Sequence, residues 1–437
     1  MQALILALAV LAQPGTPAAP QPPVDWKPLE KPLLVNHLQL TSREKFLKAG
    51  EAYFSHDGQA IIFQAILAPD QGETPSQFYT MFVASLDRSA DGRATGISNI
   101  TRLSKPGAAD TCGWFHPTEP GVVIFGSTIE PPKPIDKPGF QVGTNRYIWS
   151  FPQETDVCRL YLSQLVDPQA AARDSRPPAE QLKPAPLFTR PGYDAECSFD
   201  KSGRFVLYAN VDPAKQQEGA KPDADIWIYD TKTNTQRPIV VAPGYDGGPF
   251  FSPDGAHICY RSDRAGNDLL QIYVSKLRFE KDESGTPVPV GIEDEYQVTA
   301  NEHVNWCPTF HPSGRFLVYA SSQISHRNYE VLAIAFRPDL ASSETVDQSV
   351  RTGSNLKGDL RDLRTRVIKG VDSTRVTHAD GADVLPAFSD DARFMMWTSQ
   401  RGPKVTGEDR PSSQLWIAEL VKDGPWTSPS DQNPIKK

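Results

Sequence analysis

The sequence is short of the features that would declare a chemistry outright. It has no basic excess: 45 Lys and Arg stand against 53 Asp and Glu, a net charge of −8. A polyanion such as nucleic acid therefore has no electrostatic footprint to follow. Its five cysteines, Cys112, Cys158, Cys197, Cys259 and Cys307, include no C-x-x-C pair, which argues against a structural zinc site. G-x-S-x-G, H-E-x-x-H, the P-loop and G-x-G-x-x-G are all missing, so the common hydrolase, zincin and nucleotide-binding sites are not signalled. Beyond the N-terminal segment no apolar run is long enough to span about 30 Å of hydrocarbon. What the chain does have is punctuation. Forty prolines and 30 glycines spread over 437 residues favour many short elements over long helices.

Residues 1–12, with an apolar stretch from Ala3 to Ala12, read as a signal peptide, and the Pro- and Ala-rich residues 13–34 read as a flexible tether. A periplasmic or secreted location follows, with no membrane span in the mature chain. In such a compartment Cys112, Cys158, Cys197 and Cys307 have several pairings open to them. Cys259 lies within an apolar strand pattern and is read as a buried thiol.

The organising feature is an internal repeat. One phrase recurs from Glu51 (EAYFSHDGQAIIFQA), Cys112 (CGWFHPTEPGVVIFGS), Glu196 (ECSFDKSGRFVLYAN), Gly248 (GPFFSPDGAHICYRS), Cys307 (CPTFHPSGRFLVYAS) and Leu385 (LPAFSDDARFMMWTS). Its anchoring aromatics are Phe54, Phe115, Phe199, Phe251, Phe310 and Phe388. Each copy is followed by an alternating strand such as ADIWIYD (224–230) or LQIYVSKL (270–277). A further short strand, such as RPIVVA (237–242) or YQVTA (296–300), completes each unit. Four short strands per unit in six units describe an all-β, six-bladed β-propeller of four-stranded antiparallel blades over residues 35–421. Residues 422–437 form a C-terminal tail, and no second domain is expected. HLQLTS (37–42) precedes the first unit and nothing equivalent follows SQLWIAEL (413–420), so the N-terminal strand should complete the last blade and close the ring.

The pattern Pro249-Phe250-Phe251-Ser252-Pro253-Asp254-Gly255, then an apolar strand, then Arg261-Ser262-Asp263-Arg264-Ala265-Gly266, resembles the TolB-type, WD-like propeller repeat of exported bacterial proteins. The resemblance implies a six-bladed propeller used mainly for protein binding in the cell envelope.

Asp254 is the conspicuous carboxylate of that pattern, but its place is taken by Ser202 and Ser313 in other units, as a turn former's would be. Ala392 replaces the usual glycine in the last unit, which predicts a strained or altered turn. Five residues before the anchoring Phe stand Asp110, Asp194, Asp246, Asn305 and Asp383, with Ala49 in the first unit. Two readings apply. Each residue fixes its own entering loop, or together they form an acidic channel mouth that binds a partner's basic groups or a cation, for which calcium is the natural ion. Tyr193, Tyr245 and Trp306 enter from the same side, and the long 127–157 loop adds Arg146, Tyr147 and Trp149, residue types favoured in binding hot spots. His303, His326 and His378, in upper loops, are candidate ligands for a metal-assisted polysaccharide lyase or hydrolase, though without metal-ligand spacing. The expected protein is a monomeric, non-enzymatic binding module for an envelope protein, needing no cofactor. A metal-assisted enzyme and a small-ligand sensor are the alternatives. The 337–372 segment is expected on the opposite face, helical or as an extra strand.

Overall fold

The computed structural model describes residues 24–135, 139–140, 149–162, 184–215 and 221–422. The six repeats form six sheets around one axis. Blade 1 comprises Phe46–Phe54, Ala60–Leu67, Thr80–Arg88 and Ala94–Arg102, from the axis outward. Blade 2 comprises Asp110–Phe115, Val122–Ser127, Asp156–Tyr161 and the short Ala185–Pro186. Blade 3 comprises Tyr193–Phe199, Phe205–Val211, Ala224–Asp230 and Thr235–Val240. Blade 5 comprises Asn305–Phe310, Phe316–Ser325, Asn328–Ala335 and Thr374–Arg375.

Blade 4 departs from the four-stranded expectation. After Asp246–Phe251, His257–Ser262, Gln271–Lys281 and Pro287–Gln297 it gains Leu360–Ile368 and Ala341–Gly353, making six strands. The 337–372 insertion is thus a short 3-10 turn, Pro338–Leu340, followed by a β-hairpin. Its Leu360–Ile368 strand pairs in parallel with the blade at Tyr296 and Gln297. The other strand reaches blade 3, where Arg351 and Val241 exchange backbone hydrogen bonds of 2.8 and 2.9 Å. A Cβ on Gly291 would fall 1.8 Å from the Gly353 carbonyl oxygen, so the two backbones meet at a point that only glycine permits.

The ring closes as the sequence predicts. Leu34–Gln39 pairs antiparallel with Gln414–Leu420, the third strand of blade 6, outside Asp383–Phe388 and Phe394–Ser399. The tether is shorter than expected, because Trp26–Glu30 forms a helical turn and Glu30 is fully buried. Arg401 explains why. Its guanidinium donates to Glu30 at 3.0 and 3.1 Å and to Asp383 at 2.6 Å. It also lies 4.3 Å from the Trp26 ring centroid and 4.9 Å from that of Trp397. His37 shares Glu30 at 2.8 Å. Residues 1–12, read from the sequence as a signal peptide, residues 13–23 of the expected tether, and the tail beyond Lys422 lie outside the described residues.

Six apolar clusters fill the seams between successive blades; Phe46, Phe63 and Phe394, for example, fill the closing seam between blades 6 and 1. Each fully buried phenylalanine contributes about 2–3 kcal/mol of transfer free energy. All five cysteines are buried free thiols, so no disulfide is among them. No helix among the described residues is long and apolar enough to cross a membrane.

Candidate functional site at the propeller axis

The turn joining the first two strands of blade 4 behaves as the repeat comparison demands. Ser252 Oγ and the Ala256 N–H donate to Asp254 Oδ1 at 2.5 and 2.9 Å, and the Gly255 N–H bonds the Ser252 carbonyl at 2.8 Å. Ala392 keeps this geometry at the cost of a φ of 54°, so the predicted strain is present.

The aspartates begin the inner strands, but they do not form an open mouth. Asp110, Asp194, Asp246, Asn305 and Asp383 are all buried, none more than 5 % exposed. Each is spent on its own surroundings. Asp110 accepts the Met81 N–H at 2.9 Å and Ser127 Oγ at 2.6 Å, with Ser104 also donating. Asp194 accepts from Asn210 at 2.8 Å, Asp246 from Arg264 at 2.7 Å and Asp383 from Arg401. Asn305 donates to the Gln271 and Asn301 side chains. Of the two readings of these residues, the local one describes their contacts. Burial lifts the Asp110 carboxyl to about 6 and those of Asp194 and Asp246 to about 7.

A different set of side chains reaches the axis. Glu51, Cys112, Glu196, Gly248, Cys307 and Leu385 open the six repeats, and all have positive φ, between 41° and 59°. Each sits in an irregularity of its inner strand. The extra residue breaks the alternation of side chains, so a residue two places after an inward-tied aspartate need not share its face. Here the Cys112 thiol donates to Glu51 at 2.9 Å, and Tyr53 donates to the same carboxylate at 3.2 Å. Glu196 accepts from Tyr245, from the Gly248 N–H at 2.5 Å and from Arg261 at 3.0 Å. Arg261 in turn donates to Tyr245 at 2.8 Å. A Cβ on Gly248 would lie 1.9 Å from the Arg261 guanidinium, which accounts for glycine in this one repeat.

Burial raises the Glu51 carboxyl, its bond from Cys112 works in the opposite direction, and the nearby Glu196 adds to the rise. Burial first and then Glu51 push the Cys112 thiol well above its ordinary range. A thiol held protonated in this way is a hydrogen-bond donor rather than a nucleophile. The aligned repeats already began on these six residues. Their differing identities concealed the common position, and only Gly248 hinted at a left-handed backbone.

Tyr193 and Tyr245 are buried near the axis, with Tyr193 stacked on Phe151 at 5.3 Å, while Trp306 is half-buried and 5.9 Å from the Arg261 guanidinium. Arg146 and Tyr147 lie outside the described residues. Trp149 pairs its backbone with Phe140 in a two-residue ribbon. The three histidines do not assemble. His303 is in the loop entering blade 5, His326 sits 3.3 Å from Tyr329 at a hairpin tip, and the backbone of His378 donates to Glu30. Among the described residues no group of three or more His, Cys, Asp or Glu is placed to hold a metal ion, so neither the histidine set nor an acidic calcium ring is brought together.

No protein-family model matches the chain. The chain is 23% identical over 205 residues to the uncharacterized peptidase YuxL of Bacillus subtilis, a match covering 44% of this chain and 27% of that protein. It thus spans about a quarter of that relative's length. Among solved structures it is similar to TolB from Acinetobacter baumannii, at 14% identity and a TM-score of 0.42, over 84% of this chain and 65% of that one. It is also similar to an oligogalacturonate lyase from Vibrio parahaemolyticus, at 11% identity and a TM-score of 0.43, over 88% and 94% of the two chains.

Proposed function

We propose that this propeller is a non-enzymatic binding module of the cell envelope, a rigid scaffold whose entrance face receives a protein partner. The observation that supports this reading is the filled axis. Glu51, Cys112, Glu196, Tyr245 and Arg261 spend their hydrogen bonds on one another, an arrangement suited to holding six blades rigid. The buried aspartates stabilise the entering loops, and the contact surface is the loops themselves. Three exposed apolar side chains lie on that face: Leu67 of blade 1, Ile324 of blade 5 and Val405 of blade 6, on three consecutive blades. A protein partner docked on this face would bury these side chains in its interface. The apolar N-terminal stretch from Ala3 to Ala12 supports export.

The test is photocrosslinking in intact cells from a reactive residue placed at Val405, Ile324 or Leu356, the last on the opposite face. A discrete protein adduct from Val405 and Ile324, and not from Leu356, is expected. Adducts from Leu356 alone, or from none of the three, would overturn the reading. The double variant Asp194→Asn, Asp246→Asn should leave the adducts unchanged, because both carboxylates are buried.

A further inference from the structure

At the rear end of the axis the inner strands run into their turns and surround a cavity of about 210 Å³. Its floor is aromatic. Tyr53, Trp114 and Phe250 come together with ring centroids 4.7–5.6 Å apart and planes tilted by 37–49°, and the anchoring phenylalanines of the repeats form much of the wall. The volume suits a single ring with a short substituent and is below the range typical of drug-sized ligands.

The polar groups lining the cavity divide into two kinds. The carboxylates are engaged: Asp200 takes the Ser202 N–H at 3.1 Å, Ser202 Oγ at 2.6 Å and the Phe205 N–H at 2.8 Å, and Asp390 Oδ2 pairs with His56 at 2.5 Å. The donors are not. Trp114, Thr309 and Lys201 all line the cavity, and the Trp114 indole N–H, the Thr309 hydroxyl and the Lys201 ammonium have no acceptor among the described residues. A sugar would need acceptors for its hydroxyl protons around its rim, and of the two carboxylates here Asp200 is committed to its turn and Asp390 is engaged by His56. An anionic group, by contrast, supplies only acceptors.

We propose that this cup binds a small aromatic carboxylate, its ring on the Tyr53–Trp114–Phe250 floor and its carboxylate toward Lys201, Thr309 and the Trp114 N–H. Ring-on-ring contact supplies most of the buried surface, and the Lys201 ammonium selects the charged ligand. The site is remote from the entrance face, so it stands or falls independently of partner docking there.

Saturation-transfer NMR on the full chain with benzoate tests this. Nine non-hydrogen atoms set the expectation at a dissociation constant in the millimolar range. Benzyl alcohol should bind at least fivefold more weakly. Lys201→Gln, at an exposed position that leaves packing intact, should weaken benzoate at least fivefold, and Trp114→Phe, which keeps a ring but removes the donor, about threefold. Absence of saturable benzoate binding overturns the proposal. So does benzoate binding that neither variant changes, or equal binding of benzyl alcohol. Methyl glucoside binding more tightly than benzoate would overturn the ligand class.

Discussion

Blades 4 and 6 contain the same buried device assembled from different parts of the chain. In blade 4, Arg264 donates to Asp246 at 2.7 Å and to Glu295 at 3.0 and 3.1 Å, over the rings of Tyr273 and Tyr260. In blade 6, Arg401 holds Asp383 and Glu30 over Trp397 and Trp26. The aspartate begins the inner strand and the arginine follows the second strand in both. The glutamate differs: Glu295 comes from the blade's own fourth strand, whereas Glu30 comes from the opposite end of the chain. The same clamp therefore stabilises one blade in the first case and closes the whole ring in the second. The charge balance reflects this. Burial would raise the Glu30 carboxyl, but the bonds from His37 and Arg401 hold it below its ordinary value, while burial keeps Asp383 above its own despite Arg401.

The largest expected effects come from breaking the two clamps. Removing one partner of a buried ion pair strands the others, at a cost of about 3–5 kcal/mol. Arg264→Ala and Arg401→Ala should both lose stability of that order in denaturant melts. Only Arg401→Ala should also expose residues 24–39 to limited proteolysis. Equal release of that segment by both variants would remove the distinction between them.

The next effect contrasts the clamped aspartates with Asp194, which has no fully buried arginine beside it and whose second oxygen has no donor among the described residues. Its folded pKa, about 7, exceeds the ordinary 3.8 because burial penalises the charge. A raised folded pKa contributes stability that is complete below about 4 and is lost as pH rises through 7. Asp194→Asn should therefore stabilise the protein at pH 8, by about 2–4 kcal/mol, and by less than half as much at pH 5. Thermal melts at the two pH values check this, and a gain confined to pH 5 would contradict it.

The smallest effects lie in the turns. Ala392→Gly should relieve the positive φ and stabilise blade 6 by about 1 kcal/mol, whereas Gly255→Ala, at a φ of 70°, should destabilise blade 4 by a similar amount. Asp254→Ala removes two hydrogen bonds from a half-exposed turn and should cost about 0.5–1 kcal/mol, with no effect on partner crosslinking. Stability curves for the three variants give the order directly, and a loss from Ala392→Gly would sink the strain account.

Local pattern determined most of the architecture. The recurring aromatic–turn–strand phrase marks six inner hairpins, the turn residues explain Asp254, and an unmatched N-terminal strand foretells closure. These are short-range signals, with alternation of period two and glycine where φ is positive. Two features of the fold were not legible in this way: the hairpin that widens blade 4 and the helical turn that carries Glu30 into blade 6. Both depend on partners dozens to hundreds of residues away.

The functional region divides along the same line. The sequence by itself determined that Asp110, Asp194, Asp246 and Asp383 begin equivalent strands, and that Tyr193, Tyr245 and Trp306 accompany them. Only the tertiary structure decided which way those carboxylates point, because one irregular residue in each inner strand resets the face that every neighbour occupies. That displacement buries the aspartates among serine, asparagine and arginine donors and gives the axis to Glu51, Cys112, Glu196 and Arg261. It also leaves the rear cup to Tyr53, Trp114 and Phe250, whose rings meet only when blades 1, 2 and 4 converge.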